Sequence, residues 1–347
     1  MQSSSLFLSL TPERVLEAVE AAGLHCNTLC YPLNSFENRV YEVELEDRTR
    51  LIAKFYRPNR WTREQILEEH ELLSQLDAEE IPVCPVRTWP DGQTLHSHNG
   101  IEYCLFDRRG GRAPDEVTFD TAQRLGRLVG RMHVVGRRMF FSHRRRMCAD
   151  TYIRQELAWL EAEGSVPQFL CDRFFSTARE LADLIDALME NAAVQRVHGD
   201  LHLGNVLLRD DTFHLLDFDD AVVGPPVQDL WLLLPGRDQE TARLRELFLE
   251  GYEEFCDFDR SSLRLIESLR SLRLVTYAAW LARRQNDPAI REGWPHFGDE
   301  AYWIGQTADL EEQLRLVRAA AVDVPPEARA EKTLSNKDYF WDWDGDG

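Results

Sequence analysis

The chain has 347 residues, 44% of them hydrophobic, and a formal net charge of −20. That length supports a large core and two lobes, and the apolar fraction excludes a disordered chain. The acidic balance argues against a broad nucleic-acid surface, which needs a basic footprint, and no apolar run approaches a membrane span.

In chain order, Thr11-Pro12 marks a helix start, with Val15, Val19 and Ala22 on one face and Gly23 as the stop. Met1–Leu10 ahead of it carries no basic segment and does not read as a signal peptide. Tyr41, Val43 and Leu45 alternate with Glu42 and Glu44, the pattern of a half-buried strand. Leu51–Tyr56 is a second strand after a turn at 46–49. Thr62-Arg63-Glu64-Gln65 is a capping box that opens a helix running to about Leu76. Ile101–Phe106 forms a further strand, followed by Gly110-Gly111.

Beyond this point helical spacing dominates, over Thr121–Val135, Tyr152–Glu163, Arg173–Glu190, Gln239–Phe255 and Ser261–Arg284. Strands first and helices later predict an α+β protein of two lobes, a sheet-rich N-lobe over 1–107 and a mostly helical C-lobe over 108–330. An acidic aromatic tail over 331–347 is expected to be disordered or loosely docked. The seven cysteines are scattered without a Cys-x-x-Cys pair, which predicts reduced thiols in a cytoplasm and no zinc site.

The most specific signal is His198-Gly199-Asp200-Leu201-His202-Leu203-Gly204-Asn205, with Asp217-Phe218-Asp219 beyond it. An Asp, an Asn five positions on, and a second Asp after a short apolar run form the set that phosphoryl transfer from a nucleotide requires. Asp200 is the candidate catalytic base. Asn205 and Asp217 are the candidate magnesium ligands, because magnesium takes one or two hard protein oxygens and completes its shell with phosphates and water. Asp219 serves either a second metal or the cap of the next turn. His198 and His202 are read as structural.

Lys54 stands inside an apolar strand, where an unpaired ammonium is costly. A carboxylate partner and nucleotide phosphates would account for it; on an edge strand it would instead snorkel to solvent. Projecting the capped helix at 3.6 residues per turn places Glu69 on the inward stripe between Leu73 and Leu76, with Glu68 almost opposite. Glu69 is therefore the expected partner. No glycine-rich phosphate loop is present, but the 33–39 turn offers backbone amides and the Ser35 hydroxyl. Asp229 is expected to cap its helix or to pin the catalytic loop. Arg137-Arg138 and His143–Arg146 are expected to form a solvated basic face.

With these residues in place, the chain resembles the aminoglycoside phosphotransferase and choline kinase group of protein-kinase-like enzymes. His198–Asn205 is similar to that group's catalytic loop, with Gly199 where eukaryotic protein kinases usually carry Arg. Asn34–Tyr41, Lys54–Pro58, Ile66–His70 and Gln228–Trp231 are similar to a bacterial, cytoplasmic serine/threonine protein-kinase branch of stress response. The resemblance runs from about Leu10 to Val317. It implies a bilobal protein-kinase-like fold, ATP and magnesium as cofactors, and Asp200 as proton acceptor. It further implies Asn205 and Asp217 as metal ligands and Ser35 near ATP. The implied partner is a protein substrate with a Ser/Thr acceptor, for a monomer that binds neither nucleic acid nor membrane. A small-molecule kinase acting on an amino alcohol or aminoglycoside is the alternative.

Overall fold

A computed structural model describes residues 7–8, 10–33, 35–89 and 91–322; the acidic aromatic tail lies outside them. Helix α1 (Pro12–Ala21) starts with proline in its first turn, as expected, although the Thr11 side chain makes no cap bond. It packs Val15, Ala18 and Val19 onto a five-stranded antiparallel sheet. The strands are β1 (Cys26–Leu33), β2 (Arg39–Leu45), β3 (Arg50–Phe55), β4 (His96–His98) and β5 (Ile101–Asp107), in the order β1-β2-β3-β5-β4. Strand β1 carries no alternation of buried and exposed residues, which is why its sequence gave no strand signal. It lies on an edge, where Pro32 is tolerated because one side needs no ladder donor.

Glu42 and Glu44 correct the half-buried reading of β2, since both are buried. Glu42 accepts hydrogen bonds from Arg50 and Arg108, and Glu44 from Asn27, Arg48 and Arg50. The arginine stems roof that face of the sheet while their charged ends neutralise the acids.

Helix α2 (Arg63–Ala78) opens with the full Thr62/Gln65 capping box. It turns Ile66, Glu69, Leu73 and Leu76 inward, and Leu72, Leu73 and Leu76 join the core of the helical half. That half contains α3 (Phe119–Gly136), α4 (Gln155–Ala162), α5 (Cys171–Met189), α6 (Val227–Trp231), α7 (Gln239–Glu253), α8 (Ile266–Arg284), α9 (Pro288–Gly293) and α10 (Glu300–Val322). Helices α3 and α7 approach closely: a Cβ at Gly126 would stand 1.9 Å from the Phe248 carbonyl oxygen. No helix among the described residues is long and apolar enough to cross a membrane.

Two small antiparallel ladders carry the loops that matter. Strand β6 (Gln195–Val197) pairs with β9 (Val222–Gly224), and β7 (Val206–Arg209) with β8 (Thr212–Leu215). Residues 198–205 follow β6 and residues 216–221 follow β8, so both motif segments leave adjoining ladder ends. Side chains also tie the sheet-rich half to the helical half. Glu37, before β2, accepts from Trp280 and Arg284 at 2.6 Å each. Asp287, which caps α9, pairs with Arg39 and Arg57.

Candidate active site

Strand β3 is central, with β2 on one side and β5 on the other, so Lys54 has no edge from which to snorkel. Its Nζ instead meets three carboxylates: Glu69 at 3.1 Å, Asp217 at 3.2 Å and Asp219 at 3.2 Å. Burial works against the ammonium, but Asp219, Glu69 and Asp217 together outweigh it and hold the Lys54 pKa well above its ordinary value. Burial pushes the Glu69 carboxyl up, against the pull of Lys54.

Asp219 is held as a buried ion-pair partner. Its side chain is 3% exposed and sits between Lys54 and Arg60, with Arg60 at 2.7 Å and the Trp61 indole donating at 3.3 Å. Burial opposes ionisation there, yet Lys54, Arg60 and Arg144 hold the carboxyl well below the usual carboxylate range. Arg144 corrects the expectation of a solvated basic face: its side chain is 0% exposed. It donates to Glu69 and to the Asp219 and Ala221 carbonyls, the latter at 2.7 and 2.9 Å. Arg60 and Arg144 are the site residues that the sequence did not disclose. Arg144 stands in a basic run and Arg60 between Asn59 and Trp61, local settings that surface faces share.

The catalytic-loop segment is held mainly through its backbone. Asp229, buried in α6, accepts from the His198 amide at 2.8 Å and the Gly199 amide at 2.9 Å, and pairs with His133 at 3.0 Å. The expected pinning of the loop by Asp229 is therefore its observed geometry. The His198 ring packs on Phe218 and meets the Leu216 carbonyl at 2.8 Å, which ties the two motif loops together. Gly199 has φ 85°, and a Cβ there would lie 2.2 Å from the Asp220 carbonyl oxygen. A side chain at that position has neither the backbone conformation nor the room.

Asn205 Nδ2 donates to the Asp200 carbonyl at 2.9 Å, leaving its Oδ1 as an acceptor. Asp217 adopts a left-handed backbone, φ 56° and ψ 70°, and its side chain is 55% exposed. Asp is among the few non-glycine residues that enter this region readily. The Asp200 carboxylate meets Arg273 at 2.5 Å and His202 at 3.6 Å. Burial would raise its pKa, but His202 and Arg273 outweigh burial and lower it to about 2.

A cavity of about 330 Å³ opens between the lobes. Ser35, Lys54, Glu69, Asn205 and Asp217 all line it, and Val40, Ile52, Phe106, Leu207 and Leu215 supply apolar walls. Asp200 stands outside this lining and is joined to it through Asn205. Such a cavity combines apolar walls with a cation and oxygen donors.

A family model described as the phosphotransferase enzyme family matches residues 30–266. The chain belongs to this family. It is 40% identical over 325 residues to stress response kinase A of Escherichia coli (strain K12), covering 93% of this chain and 98% of the relative. It is 37% identical over 321 residues to the serine/threonine protein kinase RdoA of Salmonella typhimurium, covering 92% and 97%. Among solved structures, amicoumacin kinase hAmiN in complex with AMP-PNP, Ca2+ and Ami superposes with a TM-score of 0.62 at 22% identity. That match covers 81% of this chain and 91% of that one. The fold is the bilobal kinase-like one, and this family member is a phosphotransferase, a kinase.

Proposed function

We propose that the chain is an ATP- and magnesium-dependent serine/threonine protein kinase that also phosphorylates itself and serves a bacterial stress response. The observation that carries this reading is the convergence of Lys54, Asn205 and Asp217 on one interlobe cavity beside Asp200. The choice of a protein acceptor follows the names of the relatives. Residues 1–107 then form the nucleotide lobe and 108–330 the catalytic lobe.

Adenine occupies the apolar walls in this reading, and the phosphates point toward Lys54 and Ser35. The donor set suits magnesium: one amide oxygen and one half-exposed carboxylate, both hard. Among the described residues no three acid, His or Cys side chains converge on one metal position, so the phosphates supply much of the shell. The ion, when bound, neutralises charge on the phosphates. Asp200 orients the acceptor hydroxyl and receives its proton, and Glu69 keeps Lys54 in place.

The acidic surface and a half-open aromatic group support a second reading, a small-molecule kinase acting on an amino alcohol or aminoglycoside. Tyr277, one turn beyond Arg273, stacks on Trp280 at 5.6 Å, and Trp294 meets Trp280 edge-on at 5.9 Å. Such faces attract ammonium groups.

Labelled ATP incubated with the pure protein, alone and then with casein, ethanolamine and kanamycin, separates the two. Label on the chain itself and on casein is expected; label on small molecules alone reverses the assignment. Asp200→Asn should lower turnover by about 10²–10⁴ with nucleotide affinity nearly intact. Asp217→Ala should abolish the magnesium-dependent part of nucleotide binding, and an unchanged Kd with magnesium would remove Asp217 from the metal site.

A further inference from the structure

The cations ion-paired with the acids of the two motif loops and with Glu69 fall into two kinds. Lys54 is pinned by three carboxylates. Arg60 is held by Asp219, Asp220 and Glu37, and Arg144 by Glu69 and two carbonyls. Withdrawing any of these breaks contacts to two or more groups at once, in a buried setting where lost charge compensation is costly. Arg273 is different. Its side chain is 43% exposed, and Asp200 is its one ion-pair partner among the described residues. It can leave at the cost of a single contact.

The contact it makes occupies one oxygen of the carboxylate that serves as base in the reading above. Asp200 Oδ1, 2.5 Å from the guanidinium, is an oxygen that a base needs free. An acceptor hydroxyl must come within about 2.6–3.2 Å of the carboxylate, and its oxygen must sit about 3–3.5 Å from the phosphorus it attacks. A guanidinium displaced from Asp200 by that hydroxyl is then a few ångströms from the phosphoryl group. Its planar fork of donors matches pairs of phosphoryl oxygens.

Helix α8, which carries Arg273 to Asp200, is fastened at two places. Thr276 Oγ1 donates to the Tyr152 carbonyl at 3.0 Å. Further along, Trp280 and Arg284 bind Glu37, next to the turn that carries Ser35. The helix that bears Arg273 is thus fastened to the same turn that faces the phosphates in the reading above.

We propose that Arg273 is a phosphoryl clamp supplied in cis, resting on Asp200 when the cleft is empty and passing to the γ-phosphoryl group as the acceptor hydroxyl takes its place. This rests on Asp200 acting as the base. In the step, the acceptor oxygen forms a bond to the γ-phosphorus. The bond from that phosphorus to the β–γ bridging oxygen breaks, and its electron pair leaves with ADP. The hydroxyl proton goes to the Asp200 carboxylate. Arg273 exchanges no proton and donates to the phosphoryl oxygens as charge develops there.

The test uses the full chain with Arg273→Ala, Arg273→Lys and, as reference, Asp200→Asn. It measures transfer to the acceptor labelled fastest in the assay above, acceptor-free ATP hydrolysis, and the Kd for AMP-PNP with magnesium. Arginine groups of this kind contribute about 10³–10⁵ in kcat. Arg273→Ala should therefore cut kcat at least 10²-fold for both acceptor and water, with the nucleotide Kd within threefold of the parent. Arg273→Lys should recover about tenfold of the loss.

Unchanged or faster turnover in Arg273→Ala overturns the clamp and makes Arg273 a plug on Asp200. A rise in acceptor KM alone overturns it in favour of acceptor recognition. A loss that tracks a weakened nucleotide Kd and a lowered Tm overturns it in favour of a structural role. If Asp200→Asn is inactive while Arg273→Ala is active, the clamp falls and the base stands. If Asp200→Asn is active, the base reading itself falls.

Discussion

The floor of the cavity and the loop beside it are stabilised by opposite means. Beneath the cavity, Lys54, Glu69, Asp219, Arg60 and Arg144 interlock as buried charges, each with two or more partners. The loop carrying Asp200 has no such network. It depends mainly on α6, where the Asp229 carboxylate collects two successive amides and Gln228 donates to the Gly199 carbonyl at 2.7 Å, and on one glycine that fits beneath a carbonyl. Redundant charge tolerates the loss of a member better than a loop whose main anchor is one short helix.

The sharpest way to break this contrast is at Asp229. Asp229→Ala removes the acceptor for two buried amides and the partner of the His133 Nε2, and each buried polar group left unsatisfied costs about 1–3 kcal/mol, so about 3–5 kcal/mol is expected. Chemical denaturation measures the loss, and turnover should fall with it because the loop moves. A loss below about 1 kcal/mol would mean that other contacts hold the loop.

Gly199→Ala probes the second anchor. A left-handed L-residue costs about 1–2 kcal/mol, and the collision with the Asp220 carbonyl adds a similar amount, so about 3 kcal/mol is expected in denaturant. The clash also pushes the chain next to Asp200, so kcat should fall further than stability alone accounts for. Retention of full kcat would show that the loop yields without moving the acid.

Glu69→Gln tests the redundant half. Lys54 keeps Asp217 and Asp219, and Arg144 keeps two carbonyls. The loss should be about 2–3 kcal/mol, the range for weakening charged hydrogen bonds. The AMP-PNP Kd should move less than tenfold. A larger loss than in Asp229→Ala would invert the comparison.

This same division governed what the sequence could disclose. The Asp200, Asn205 and Asp217 spacing was legible because the chemistry demands those types at short range. Lys54 and Glu69 were legible because a charge in an apolar strand and the phase of a capped helix are local facts. Arg144 and Asp219 were not, because their roles arise from contacts across large sequence separations. Arg144 meets Glu69 75 residues away and Asp219 is met by Lys54 of a different lobe. In sequence an arginine in a basic run looks the same whether it faces water or neutralises a buried acid. Strand β1 was missed for a related reason: an edge strand half open to solvent imposes no alternation.

A smaller effect comes from the rim of the charged floor and reads its electrostatics directly. His70, on α2 behind Glu69, is buried, with Nε2 2.9 Å from the Tyr56 hydroxyl and Nδ1 2.8 Å from the Thr94 hydroxyl. Burial, then the cations Lys54, Arg144 and Arg63, lower its pKa to about 3 from its ordinary 6.5. The unfolded chain therefore binds a proton near pH 6.5 that the folded chain refuses until near pH 3. Stability from this residue is present above pH 6.5 and is lost progressively as the pH falls through that window. At 1.36 kcal/mol per unit, lowering the pH from 7.5 to 5 should cost the parent about 2 kcal/mol through His70. His70→Gln should be less stable than the parent at pH 7.5, having lost part of its bonding to Tyr56 and Thr94. The gap should close by about 2 kcal/mol at pH 5, since acids shared by both proteins cancel in the difference. Denaturation midpoints at the two pH values measure it. A gap that stays constant would mean that His70 titrates alike in the folded and unfolded chains, and that the positive potential behind Glu69 is already cancelled by the carboxylates in front of it.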